Sequence, residues 1–189
     1  MRRLALLVVL LAACGGSDDS AQPEPQPTWG PRECDVVGRY RTCYHGASDG
    51  QSLTAIEYRR GSGWVRLPVR HPFHRPGQPK VGHWAWVAES PDGATLLAQW
   101  SAECEVPIAF FVPAAGGKPR PVARERYGPA TSTALGWTSD GRAIVDLPNS
   151  ACGGSASRPG VYLIAPDTDD REYWKPAGSV ERSLTPRDA

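Results

Sequence analysis

The strongest constraint on the fold is a repeat inside the chain. Residues 90–104 read SPDGATLLAQWSAEC, and residues 138–152 read TSDGRAIVDLPNSAC. Asp92-Gly93 and Asp140-Gly141 are separated by the same 48 positions as Cys104 and Cys152. A unit of this length cannot bury a hydrophobic face alone, so copies must pack against one another. Asp-Gly between β-rich runs signals a hairpin, because glycine takes up positive φ without steric penalty. A Trp-bearing run precedes each turn: HWAWVAE (His83–Glu89) and TALGW (Thr133–Trp137). TLLAQW and AIVDL follow the turns. Next come IAFFVPA (108–114) and VYLIAPD (161–167), then RPVARE and REYW. Each unit therefore reads as four short strands of β-branched and aromatic residues.

A third unit lies upstream. VVGRYRTC (36–43) reads as one strand ending at Cys43. LTAIEYRR, Gly61-Ser62-Gly63 and WVRLPVR read as a hairpin. This register matches the strand before Cys43 to the second strand of a unit and leaves the first strand missing. A rival register takes Ser48-Asp49-Gly50 as the turn. The expected total is about eleven strands in antiparallel β-meanders, on this hairpin pattern.

Trp137-Thr138-Ser139-Asp140-Gly141 and Ser90-Pro91-Asp92-Gly93 resemble the Trp-Ser-Pro-Asp-Gly-like turns of TolB-type β-propellers. The likeness covers about half the chain. It implies an all-β fold of blade-like β-meander repeats, a partial or divergent β-propeller. Eleven strands fall short of the roughly four blades of four that the smallest ordinary propeller needs. An open blade stack, a divergent small propeller, and a twisted sheet or sandwich all remain. An open stack has raw sheet edges, which proteins cover. The prolyl segment 71–80, the C-terminal tail or oligomerisation would supply the cover. In stacked blades Cys104 and Cys152 occupy equivalent positions at one rim. The expected disulfides are Cys104–Cys152 between units and Cys34–Cys43 locally, as an even cysteine set in an exported chain suggests.

Export is read from the N-terminus. Arg2 and Arg3 precede ten apolar residues, 4–13. As a helix these span about 15 Å, half the bilayer core, which suits a signal-peptide h-region and not a transmembrane span. Leu11-Ala12-Ala13-Cys14 resembles the bacterial lipobox. That resemblance implies cleavage before Cys14, a diacylglyceryl thioether on its sulfur, and usually N-acylation. Gly15 in place of Asp argues, by the same resemblance, against inner-membrane retention where an outer membrane exists. No other apolar stretch approaches the roughly 18 residues of a membrane span. The expected organisation is a signal peptide (1–13), lipidated Cys14 with a Gly- and Pro-rich tether (14–31), a propeller-like domain (32–178) and a C-terminal tail (179–189). The location implied is the cell membrane or outer membrane, on its extracytoplasmic face.

Net charge is +1, so no global field points to nucleic acid. The charge is uneven. Residues 31–80 hold nine Arg or Lys against four acids, whereas residues 81–189 hold ten against thirteen. The basic third either faces anionic lipid headgroups or forms a solvated arginine-rich strand face. His71-Pro72-Phe73-His74, together with His83, offers imidazoles to a metal or small ligand. The prolines deny the pair the fixed helical face of an HExxH site. Gly154-Ser155-Ala156-Ser157 lacks the second glycine of a nucleophile elbow. No phosphate loop, dinucleotide fingerprint or calcium loop is present, and Asp167, Asp169 and Asp170 read as a charged hairpin tip. Trp84, Trp86, Trp100 and Trp137 suit either blade core or a binding surface. Trp84 and Trp86 share a face by their spacing. No catalytic residue and no cofactor is named. The function expected is a lipid-anchored, non-enzymatic binding module with a protein or envelope partner. The alternative is a small-ligand or metal binder using His71, His74 and His83.

Overall fold

Alternating and continuous apolar runs become strands throughout a computed structural model, which describes residues 26–48, 51–73, 81–101, 106–125, 128–148, 158–168 and 170–188. The first unit contains β1 (Glu33–Val37), β2 (Tyr40–Gly46), β3 (Ser52–Arg60) and β4 (Gly63–Arg66). The second contains β5 (His83–Glu89), β6 (Thr95–Ser101), β7 (Pro107–Pro113) and β8 (Arg120–Pro121). A short hairpin, β9 (Arg124–Glu125) and β10 (Gly128–Pro129), leads to the third: β11 (Thr133–Trp137), β12 (Ala143–Leu147), β13 (Gly160–Ile164) and β14 (Arg171–Lys175). Each unit is an antiparallel four-stranded sheet in sequential order. The fold is all-β.

The first unit corrects the sequence reading. VVGRYRTC is not one strand. Val37 pairs with Tyr40 across a two-residue turn, with Gly38 at φ +62°. Gly38 supplies the left-handed conformation that a side chain disfavours. The strand thought missing is therefore β1, and all three units have four strands.

The second sheet is sandwiched between the other two, and its strands show why. Leu96, Ala98 and Trp100 join a core with Tyr40, Ile56 and Leu67 of the first unit. Leu97 joins the core with Trp137, Val145 and Leu147 of the third. Neighbouring Phe110 and Phe111 divide in the same way. A strand buried on both faces reads as an unbroken apolar run, which explains TLLAQW and IAFFV. Trp84, Trp86, Trp100 and Trp137 are all buried. Trp84 and Trp86, however, do not share a face. The ladder between β5 and β6 shifts register between them. The extra residue reverses the alternation, so Trp84 faces the first unit and Trp86 the third.

Both repeat turns are closed by one device. Asp92 Oδ1 accepts from Ser90 Oγ at 2.5 Å and from the Ala94 amide at 3.0 Å. Asp140 Oδ1 accepts from Thr138 Oγ1, and Thr138 Oγ1 accepts from the Arg142 amide at 2.9 Å. Gly93 and Gly141 have φ of +73° and +88°. These hydrogen bonds hold both aspartates below the usual carboxylate range, led by Ser90 at Asp92 and by Arg142 at Asp140. Asp92, Gly93, Asp140 and Gly141 thus serve turn geometry, as short polar side chains commonly do.

The edge of the third sheet is covered by the chain's own C-terminal segment. The amides of Ser183 and Arg187 donate to the carbonyls of Leu135 and Trp137, at 2.8 and 3.0 Å. The Thr138–Arg187 bridge makes this added segment parallel to β11. Gly136 permits the approach, because a Cβ there would lie 2.5 Å from the Ser183 oxygen. Val180 packs over Leu135, Ile144, Val161 and Leu163, closing the outer face of that sheet.

Cys34 and Cys43 are directly paired across β1 and β2, with Cα atoms 4.1 Å apart and an S–S bond of 2.13 Å. Cys14, Cys104 and Cys152 lie outside the described residues, so the expected Cys104–Cys152 pairing does too. Replacing both Cys34 and Cys43 with serine is expected to lower unfolding free energy by about 2–3 kcal/mol, from closure of a loop of this size. Denaturant unfolding with and without reductant measures it. The wild type should lose at least this much on reduction, and more where a second bridge is also opened.

Candidate interaction surface

The C-terminal segment covers the third sheet's outer face, whereas no described segment covers the first sheet's outer face. Period-2 alternation decides what it carries. Along β1, Cys34 and Val36 point outward, while Glu33 and Asp35 pair with Tyr44 and Thr42 on the inner side. The inner side is tied to the second unit. Ser52 Oγ donates to the Gly82 carbonyl at 2.7 Å, and the Trp84 amide donates to Thr54 Oγ1 at 3.0 Å. The outer side takes Arg41, Cys43 and His45 from β2. It takes Leu53, Ala55, Glu57 and Arg59 from β3, and Trp64 and Arg66 from β4, as the pairing registers require.

Glu57 is the centre of this face. It is only 6% exposed, yet it stays charged because two arginines hold it. Arg41 donates through Nε to Glu57 Oε2 at 2.7 Å, and Arg32 donates to Oε1. Burial alone would raise the Glu57 carboxyl. The hydrogen bonds from Arg41 and Arg32 outweigh it and hold the group below its usual range. Arg41 in turn lies over the Trp64 ring, 4.6 Å from the centroid.

Around this ion triad the surface is aromatic and aliphatic. Trp29 tilts against His45 with ring centroids 5.0 Å apart. Val36 and Leu53 are 64% and 46% exposed. A cleft of about 240 Å³ opens between Arg32, His45, Leu53, Glu57 and Arg66. A smaller hollow of about 130 Å³ shares Leu53, Thr54 and Arg66 with it and reaches His71 and Trp84. Among the described residues, Arg32, Arg41, Arg59 and Arg66 against Glu57 leave the face with a net charge of +3.

The depressed Glu57 carboxyl predicts a pH dependence. A lowered folded-state pKa adds stability that is present above the unfolded value, about 4.3, and lost as pH falls through the folded value. The stability gap between wild type and Glu57→Gln should be widest at neutral pH and close in acid below that point. Urea unfolding at several pH values checks this, and a gap that widened in acid would contradict it.

The histidines are built into aromatic contacts. His71 meets the Trp100 ring edge-on with centroids 4.7 Å apart, and its Nδ1 accepts from the Phe73 amide at 3.3 Å. His83 packs on Tyr44 at 4.8 Å. Burial lowers the His83 pKa, against a smaller opposing effect of the Asp35 charge. His74 lies outside the described residues. Among the described residues, no three His, Cys, Asp or Glu side chains group as a metal site.

The cluster of Arg32, Arg41, Glu57 and Trp64 was not singled out from sequence. Its signal was the alternation in LTAIEYRR, which sets Leu53, Ala55, Glu57 and Arg59 on one face. Compared with known families and with curated proteins, the chain matches no family model and no curated protein.

Proposed function

We infer that the chain is a lipid-anchored, extracytoplasmic binding module of a bacterial cell envelope, without catalysis. The carrying observation is the outer face of the first sheet, which no described segment covers and where a cleft, four arginines and two tryptophans meet. Desolvated aromatic and arginine side chains are what binding surfaces favour. The Leu11-Ala12-Ala13-Cys14 run supports the anchor, since two or three acyl chains hold a protein durably where one does not. The three four-stranded sheets and their matched Asp-Gly turns support a reading as blades of a partial or divergent β-propeller of TolB type.

Detergent phase partition of the protein made in a bacterial host tests this reading. Wild type should enter the detergent phase, and Cys14→Ala should move to the aqueous phase. A variant that partitions as wild type would remove the lipid anchor from the account.

A further inference from the structure

We propose that the outer face of the first sheet docks on anionic phospholipid, the surface of the bilayer that holds the chain's own anchor. The inference rests on the lipid-anchor reading above. It adds which face meets the membrane and what that face recognises.

Charge is segregated between the two sides of this sheet. The alternation of the first unit sends Arg32, Arg41, Arg59 and Arg66 outward with, among the described residues, a single acid, Glu57. The acids of β1, Glu33 and Asp35, fall on the other side. Glu57 is held by Arg32 and Arg41, whereas Arg59 and Arg66 have no ion-pair partner among the described residues. Arginine is weakly hydrated and presents a planar fork that matches phosphate.

The remaining surface has the character of a membrane interface. Trp29, Trp64, Val36 and Leu53 share this face, with Trp29, Val36 and Leu53 well exposed. Tryptophan beside arginine is the composition that settles at the headgroup level of a bilayer. Exposed aliphatics at such a face bury a little apolar area without spanning anything.

The tether approaches the same face. It leads into residues 28–30, which pair with residues 46–48 and set Trp29 on this same face, next to Arg32. The prolyl stretch before Thr28 reaches up to about 40 Å, long enough to let the domain lie on the lipid surface and not only stand above it. The opposite end of the stack is closed by the C-terminal segment, and among the described residues no segment closes this face.

Each basic side chain at an anionic surface adds about fivefold in affinity, so a net of three adds on the order of a hundredfold. The effect should weaken as added salt shortens the screening length. The chain from Gly15 to Ala189, which carries every strand of the three sheets and no acyl group, is mixed with vesicles of phosphatidylcholine alone or with one-third phosphatidylglycerol. Cosedimentation is expected to favour the anionic vesicles by about a hundredfold in 50 mM salt and to fall steeply in 500 mM salt. Arg59→Glu with Arg66→Glu should abolish that preference. Arg124→Glu with Lys175→Glu makes the same net-charge change in the other units and should retain most of it. Near-UV circular dichroism of both variants verifies folding. Equal binding to neutral vesicles, no binding to either, or equal loss in the two double variants would each overturn the proposal. Failure of the anchor reading is separable, because it appears in the phase partition of Cys14→Ala and leaves vesicle binding by the acyl-free chain unchanged.

Discussion

Trp137→Ala is expected to destabilise the protein by about 3–5 kcal/mol, the range for removing a buried tryptophan. Trp137 is 1% exposed and sits where the third unit meets the second. Its ring lies 6.0 Å from that of Phe111, and its Nε1 donates to the Ala88 carbonyl at 3.1 Å. Alanine therefore opens a cavity between two sheets and removes the indole's hydrogen bond to that carbonyl. A domain stable by only about 5–15 kcal/mol loses a large share of its margin. Trp137→Phe separates the two effects. It keeps most of the ring volume and removes the hydrogen bond, so its loss should be about 1–3 kcal/mol. Denaturant unfolding gives both values. A loss under about 1 kcal/mol for the alanine variant would mean the interface is not packed as described.

Gln99→Leu should be nearly as damaging although it preserves volume. Gln99 is a buried amide in the second sheet that staples the third. Its Oε1 accepts from the Ala134 amide at 2.7 Å, and its Nε2 donates to the Ser132 carbonyl at 3.2 Å. Ser132 and Ala134 are themselves fully buried. Leucine would strand one donor and one acceptor, each unsatisfied group costing about 1–3 kcal/mol. A total loss of about 2–5 kcal/mol is expected, with faster hydrogen exchange at the Ala134 amide than in wild type. Unchanged stability together with unchanged exchange would show that β11 is held by its apolar contacts alone.

What sequence reveals here follows from how locally each feature is encoded. The strands β5, β6, β11 and β12 are legible because a Trp-bearing run, an Asp-Gly turn and an apolar run recur at a fixed interval. The Asp-Gly turns carry their own chemistry, in the Ser90–Asp92 and Thr138–Asp140 hydrogen bonds. The Gly38-Arg39 turn is not legible. Flanked by Val36, Val37 and Tyr40, a lone glycine looks like a bulge in one long strand. The bulge after Trp84 carries no glycine or proline to mark it, so spacing places Trp84 and Trp86 together when the register shift parts them. The C-terminal cover is also hidden. It rests on backbone hydrogen bonds from Ser183 and Arg187 and on one apolar residue, Val180, none of which makes a periodic pattern.

The open face shows the same division. The excess of arginine in the first third is plain in the sequence. Which arginines share a face is not plain until β1 and β2 are separated at Gly38, because that turn sets the phase of Arg32 and Arg41 relative to each other. Glu57 is then the residue that joins them. A buried carboxylate with two arginine partners arises from pairing across three strands, and no short motif encodes it.

Intact mass of the protein extracted from native membranes, with and without reductant, tests the central reading most directly. A mass fitting cleavage before Cys14 plus acyl chains, rising by about four hydrogens on reduction, is the predicted result. An unacylated mass that retains Met1, with free thiols, would contradict the lipid anchor and the oxidising location together.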